Sequence, residues 1–216
     1  MDVKILYDNE AKYGFKGAWG FSCLVGGELL FDTGGDVNML LFNMHRFNVN
    51  LSNIKVVFLS HQHGDHVGGI QVLRKLGKVK VFIPKSFSRN FKRILASYSN
   101  VTLIEVDEAV AISKCIYTTG ELGSFIKEQS VFVATNTGLT VITGCSHPGL
   151  LNILRKVSNF GEVCGVLGGF HGFHQLEALR GIKLIVPCHC TIYKEEILKL
   201  YPKSSLRCSA GCTIEI

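Results

Sequence analysis

Proline is scarce in this chain, with four in 216 residues. No Pro- or Ser-rich linker, internal repeat or low-complexity block interrupts it. One domain over residues 1–216 is therefore the economical expectation. No apolar run reaches the roughly 18–20 residues that cross a bilayer, which argues against a membrane-spanning helix. The opening Met1-Asp2-Val3-Lys4 leads into a strand-like stretch without a signal-peptide core. A cytoplasmic location is the expectation that follows. Charged residues make up only 19% and apolar residues 47%, a balance that excludes a disordered chain. No cysteine pair has CxxC spacing, the stronger signature of zinc or iron–sulfur sites.

Eight cysteines are nevertheless many for this length. Cys23, Cys115, Cys164 and Cys188 fall in or beside apolar runs, where buried free thiols are common. Without a secretory signal the thiols are expected to stay reduced. Cys188-x-Cys190 and Cys208-x₃-Cys212 are the weaker candidates for a metal or cluster site. The net charge of +6 is spread as short groups, Arg74-Lys75, Lys78, Lys80, Lys85, Arg89 and Lys92-Arg93. A solvated face explains them, and so does a rim that attracts an anionic substrate. Aromatic residues are not interleaved with the basic ones, so nucleic acid is not the expected partner.

Strand-like and helix-like segments alternate with short connections. Strands are expected at 3–7, 21–25, 28–32, 55–60, 79–83, 101–106, 111–118, 130–134, 139–143, 162–167 and 182–187. Helices are expected at 36–46, 67–76, 87–97, 149–159, 173–180 and 194–200. This pattern defines a mixed α/β class and no more.

The richest segment is His61-Gln62-His63-Gly64-Asp65-His66. An apolar, β-branched strand candidate precedes it and a helix candidate follows. In an extended stretch alternate side chains share a face, so His61 and His63 point toward one metal. Asp65 and His66 are neighbours at the turn and aim at a second. Imidazole and carboxylate donors suit zinc, or manganese and iron where the site is richer in oxygen. The bland alternative is a polar loop with three surface histidines, but no turn or cap needs this composition.

The motif resembles the HxHxDH signature of the metallo-β-lactamase-fold superfamily. Phe31-Asp32-Thr33-Gly34-Gly35 resembles its early DTG turn, whose Asp supports the metal loop from behind the ligands. Gly144-Cys145-Ser146-His147-Pro148-Gly149, Gly168-Gly169-Phe170-His171 and Pro187-Cys188-His189-Cys190-Thr191 resemble a narrower branch. Its members are metal-dependent hydrolases related to the dihydropterin-type ribofuranosylaminobenzene phosphate synthase. The resemblance covers roughly residues 20 to 192. It implies a four-layer αβ/βα sandwich.

The resemblance also implies a ligand set. Eight histidines occur, at 45, 61, 63, 66, 147, 171, 174 and 189, and none lies between 66 and 147. The superfamily takes a further ligand for the first metal from that interval, so His147 becomes the natural candidate here. Many relatives end the next strand with Gly-Asp, whose carboxylate bridges two metals. Gly144-Cys145 stands in that place, which leaves either a Cys145 thiolate or water alone as the bridge. The implied assignment is His61, His63 and His147 on one ion, and Asp65, His66 and His189 on the other. His171 is expected to act on the substrate as acid, base or hydrogen-bond donor. His174 caps or faces solvent, and His45 is structural.

The expected activity is hydrolysis by metal-bound hydroxide, with one or two Zn²⁺ ions, or Mn²⁺ or iron in their place. The substrate is an anionic small-molecule ester, most simply a phosphoester or a pterin-related phosphate compound. Asp65 is mainly a ligand with a second role as proton acceptor. The loops at 8–20 and 119–130 are expected as pocket walls, with Lys16 meeting the anion. Two other classes stay open: a di-iron or cysteine-assisted redox protein, and a metal-stabilised binding protein without turnover. Oligomeric state is not legible.

Overall fold

The computed structural model describes residues 1–216, and they form two compact units. The first comprises Met1–Val106 with Ser209–Glu215, and the second is chiefly Asp107–Cys208. No helix is long and apolar enough to cross a membrane.

The first unit holds strands β1 (Asp2–Tyr7), β2 (Ser22–Val25), β3 (Leu29–Phe31), β4 (Val56–Phe58), β5 (Val79–Pro84) and β6 (Val101–Val106). Its helices are α1 (Val37–Arg46), α2 (Gly64–Val67) and α3 (Arg89–Ala96). The second unit holds β7 (Val110–Ala111), β8 (Ile116–Thr118), β9 (Val131–Thr135), β10 (Gly138–Thr143), β11 (Val163–Gly169) and β12 (Leu184–Cys188). Its helices are α4 (Leu150–Ser158) and α5 (Lys194–Leu200). A last strand, β13 (Thr213–Glu215), returns to the first unit and pairs with β1.

The two sheets follow one plan. The first runs β13-β1-β2-β3-β4-β5-β6, antiparallel up to β3 and parallel from β3 to β6. The second runs β12-β11-β10-β9-β8-β7, antiparallel from β7 to β10 and parallel from β10 to β12. Parallel neighbours place their C-terminal ends on one edge, the edge where open α/β sheets carry their sites. Asp32, the His61–His66 segment, His147, His171 and His189 each come just past the end of such a strand.

Each unit has its own core. In the first, Leu40 and Met44 of α1 pack with Leu6, Leu30, Val57 and Val81 from the strands. In the second, α4 buries Leu150, Ile153, Leu154 and Val157, the i, i+3, i+4, i+7 stripe of an amphipathic helix. They join Val141, Val166 and Ile185 of the sheet. Helix starts follow local capping chemistry. Asp36 caps α1 by accepting the Met39 N–H at 2.8 Å, and Ser88 caps α3 through Phe91 N–H at 3.3 Å.

The sequence pattern misplaces three elements. The helix expected over 67–76 is the short α2 followed by a 3₁₀ segment at Ile70–Lys75. The glycines at 68–69 weaken a continuous helix there. The helix expected over 173–180 is a single 3₁₀ turn at Leu176–Leu179. The strand expected over 111–118 is two short strands, β7 and β8, with a turn between them. Strand β13 was not legible, because three residues carry too little pattern to register.

Truncating the α4 stripe tests this core. Ile153 is fully buried. Ile153→Ala is expected to lower unfolding free energy by about 2–5 kcal/mol, read from the urea midpoint at unchanged m-value.

Candidate metal centre

Asp32 follows the last residue of β3 and is fully buried. Its Oδ1 accepts the Ser60 N–H at 2.7 Å, and its Oδ2 accepts the Ser60 hydroxyl at 2.7 Å. The same Oδ2 lies 2.7 Å from His66 Nδ1. A carboxylate only accepts, so His66 carries its proton on Nδ1 and leaves Nε2 with a lone pair. Ser60 gives its proton to Asp32, so its oxygen receives the Nδ1–H of His61, 2.9 Å away. One carboxylate thus sets the tautomer of two imidazoles. Both present Nε2, the arrangement that metal-ligating histidines adopt.

The loop carrying these histidines is held by the DTG turn. The Thr33 N–H and hydroxyl both donate to the His66 carbonyl, at 2.7 and 3.0 Å. Gly69 permits this approach, since a Cβ there would stand 2.2 Å from the Thr33 carbonyl oxygen. Tyr7 packs beneath the same turn, and burial pushes its phenol above the ordinary value. Gln62 turns away from the histidines. Its amide donates to Ser88 Oγ at 3.0 Å and accepts the Ser88 N–H at 2.8 Å. The rings of His63 and His66 lie 4.6 and 4.2 Å from the ring of His61. Asp65 Oδ2 lies 3.9 Å from His66 Nε2. The first unit therefore gathers the whole HxHxDH set into one cluster.

The second unit repeats the device with a residue that the sequence did not point to. Glu128 is fully buried ahead of β9. Its Oε1 accepts the N–H groups of Gly144, Cys145 and Ser146 at 3.1, 3.0 and 3.0 Å. Its Oε2 accepts the His147 N–H at 2.9 Å and stands 2.9 Å from His147 Nδ1. By the argument used for Asp32, His147 also presents Nε2. Nothing in Lys127-Glu128-Gln129 marks this acid in the sequence beyond its place just before an apolar strand.

The turns after β10, β11 and β12 are stitched to one another. The Thr143 and Ser146 hydroxyls donate to the Gly169 carbonyl at 3.0 and 2.7 Å. The Phe170 N–H donates to Thr191 Oγ1 at 3.0 Å, and that hydroxyl donates to the Cys188 carbonyl at 2.7 Å. Left-handed backbone concentrates at these turns. Asp32, Ser146, His171 and His189 have φ of 51°, 61°, 46° and 45°, which leaves Asn48 as the one other non-glycine residue with positive φ. Such conformations cost about 1–3 kcal/mol each and persist where surroundings fix them, commonly at functional sites.

His171 and His147 have ring centroids 5.4 Å apart. Both line a cavity of about 550 Å³ in the second unit, with Asn152, Arg155, Phe173 and His174. The Arg155 guanidinium is exposed and enters no ion pair. A smaller cavity of about 170 Å³ lies between His147, Pro148 and the loop residues Gly123–Ile126. Lys16, in the first unit, holds its ammonium 4.4 Å from the Phe42 ring centroid, while its N–H donates to Asn43 Oδ1 at 2.9 Å. His189 is buried just past β12. His45 lies in the last turn of α1, and His174 Nδ1 is 3.3 Å from the Gly172 carbonyl oxygen.

In each unit a buried carboxylate turns Nε2 of a strand-end imidazole outward, His61 and His66 in the first and His147 in the second, a device that suits a metal-dependent enzyme, and comparison places the fold. The chain belongs to the Metallo-beta-lactamase superfamily, whose sequence model matches residues 22–148. It is 28% identical over 225 residues to the 7,8-dihydropterin-6-methyl-4-(beta-D-ribofuranosyl)-aminobenzene-5'-phosphate synthase of Methanocaldococcus jannaschii, covering 78% of this chain and 76% of that one. A second protein of that organism, the uncharacterized protein MJ0448, is 27% identical over 237 residues, covering 89% and 91%. Among solved structures, Tm1679, a metal-dependent hydrolase of the beta-lactamase superfamily, superposes with a TM-score of 0.82 at 29% identity, covering 100% of this chain and 99% of that one. The fold class expected from the motifs, the α/β sandwich of this superfamily, is the one observed.

The donors fit a divalent ion, since three imidazoles reserve Nδ1 for a buried acceptor and keep Nε2 for a ligand. Asp32→Asn and Glu128→Gln each replace an acceptor oxygen by an amide. Each is expected to lower zinc affinity by roughly 10–100-fold, measured by competition with a chromophoric chelator. Unchanged affinity in both variants would show that the two carboxylates serve only the fold.

Proposed function

We propose that this protein is a metal-dependent hydrolase of anionic esters, most simply phosphoesters, with pterin-related phosphate compounds among the candidates. The observation that carries the reading is the orientation of His61, His66 and His147, each with Nδ1 committed to a buried acceptor. A structural histidine has no need of this arrangement in triplicate. The ligand assignment read from the sequence is kept: His61, His63 and His147 for one ion, and Asp65, His66 and His189 for the other. Zinc is the preferred metal, with manganese or iron as alternatives. When bound, such an ion supplies Lewis acidity and makes water a competent nucleophile near neutral pH.

The chain's own groups do the rest. His171 lines the larger cavity beside His147, where it orients the substrate or protonates the leaving group. Arg155 on the same wall meets the substrate anion. Lys16, the residue that the sequence nominated for this task, holds its ammonium 4.4 Å from the Phe42 ring centroid and stays a second candidate for the anion. Phe173 offers an aromatic face for a planar group. A phosphate-bearing compound also accords with the relative that is named as the synthase of a 5'-phosphate. Asp65 serves as a ligand and as proton acceptor at the reacting water.

Elemental analysis of the His61→Ala/His63→Ala double variant is expected to show the loss of one ion. Metal content equal to wild type would refute the assignment. In a screen of phosphoesters, lactones and thioesters, the metal-loaded protein is expected to cleave a phosphoester. A chelator should abolish turnover, and zinc or manganese should restore it. His171→Ala should keep its metal and lose roughly 10²–10⁴-fold in kcat, as removal of a general acid–base group does. Arg155→Ala should raise KM with kcat nearly unchanged, the mark of lost uniform binding. A fully metallated wild type that cleaves no ester in the screen would overturn the hydrolase reading.

A further inference from the structure

The second unit carries a donor cluster of which the histidine-and-carboxylate assignment uses only His189, leaving two thiols aside. Cys145, His189 and Cys190 bring their ligating atoms within 4.8 Å of one another. Cys145 and His189 are each 3% exposed, and Cys190 is half-buried. The cluster draws on two strand-end turns, Cys145 after β10 and the His189-Cys190 pair after β12. Strand β11 lies between them in the sheet and ends at Gly169. That glycine makes the approach possible. A Cβ there would stand 2.7 Å from Cys190 Sγ and 3.2 Å from Cys145 Cα.

Other thiols of this unit are placed differently. Cys188 is fully buried and donates to the Val186 carbonyl at 3.3 Å, and Cys164 donates to the Leu139 carbonyl at 3.5 Å. Those two behave as small core residues with a weak donor. The Cys190 thiol meets only the Cys145 carbonyl oxygen, at 3.9 Å, a contact too long to account for its position. Around a tetrahedral zinc ion, with Zn–S about 2.3 Å and Zn–N about 2.0–2.1 Å, donor atoms stand roughly 3.3–3.8 Å apart. The span of the cluster is compatible with closing on such an ion through small side-chain rotations.

We propose that Cys145, His189 and Cys190 together ligate one ion, which gives the metal held by His189 two thiolate donors. The proposal rests on the reading of His189 as a ligand and adds sulfur to it. Thiolates favour zinc, and cobalt as its spectroscopic substitute, over magnesium, manganese and calcium. They also narrow the choice of metal that the imidazole and carboxylate donors leave wide.

Absorption spectroscopy of the cobalt-loaded full chain tests this without any assay of activity. The expected result is an intense near-ultraviolet thiolate-to-cobalt band. It should weaken in Cys190→Ser and in Cys145→Ser, disappear in the double variant, and stay unchanged in Cys188→Ser. A wild type that binds cobalt but shows no such band overturns thiolate ligation and leaves the histidine ligands standing. A wild type that binds no cobalt fails both readings. A second measurement needs no variant. Iodoacetamide is expected to label Cys190 in the metal-free protein and to be blocked there by added zinc, as read by peptide mass mapping. Equal labelling with and without zinc overturns the proposal.

Discussion

In each unit the donor cluster is built on one buried carboxylate. Asp32 and Glu128 are both fully buried, and an unpaired charge in that setting would be prohibitively costly. Each is satisfied by donors drawn from a strand-end turn. Asp32 takes the N–H and hydroxyl of Ser60 with the His66 ring, and Glu128 takes four consecutive N–H groups with the His147 ring. Fixing the loop and fixing the imidazole are therefore one event. A loop that drifted would strand a buried charge, so the loop does not drift.

That constraint explains why unusual backbone is tolerated where it occurs. Asp32, Ser146, His171 and His189 adopt left-handed conformations just past β3, β10, β11 and β12. A parallel strand delivers its chain to the sheet edge, and a sharp reversal there aims the side chain along that edge instead of into a following loop. The local cost is offset by the hydrogen bonds that cross from one turn to the next through Thr143, Ser146 and Thr191. The two units use the same solution: strand, left-handed turn, carboxylate anchor and presented imidazole.

Function follows from what this rigidity leaves available. Nδ1 of His61, His66 and His147 is committed, so Nε2 is the atom on offer, and a set of such atoms describes a metal centre. The larger cavity beside His147 and His171 adds the exposed Arg155 guanidinium and the Phe173 ring, groups suited to an anion and a planar body. The proposed chemistry thus divides between turns that present metal donors and one cavity wall that offers groups to a substrate.

The sequence by itself determined the histidine cluster, the α/β class and most strands and helices. Those depend on short-range spacing: alternate residues of an extended segment share a face, and i, i+3, i+4 residues of a helix share another. It also pointed to His147, His171 and His189 as strand-end residues, because each follows a recognisable apolar run. Three things lay beyond it. Glu128 looks like any loop acid, and only folding brings four N–H groups from residues 144–147 to its oxygens. The alliance of Cys145 with Cys190 joins residues 45 positions apart through the sheet order β12-β11-β10. The 3₁₀ turns at 70–75 and 176–179 replace helices because short segments take the conformation their surroundings favour. Spacing along the chain can nominate a ligand. Which buried charge orients it depends on long-range pairing, which one-dimensional pattern does not record.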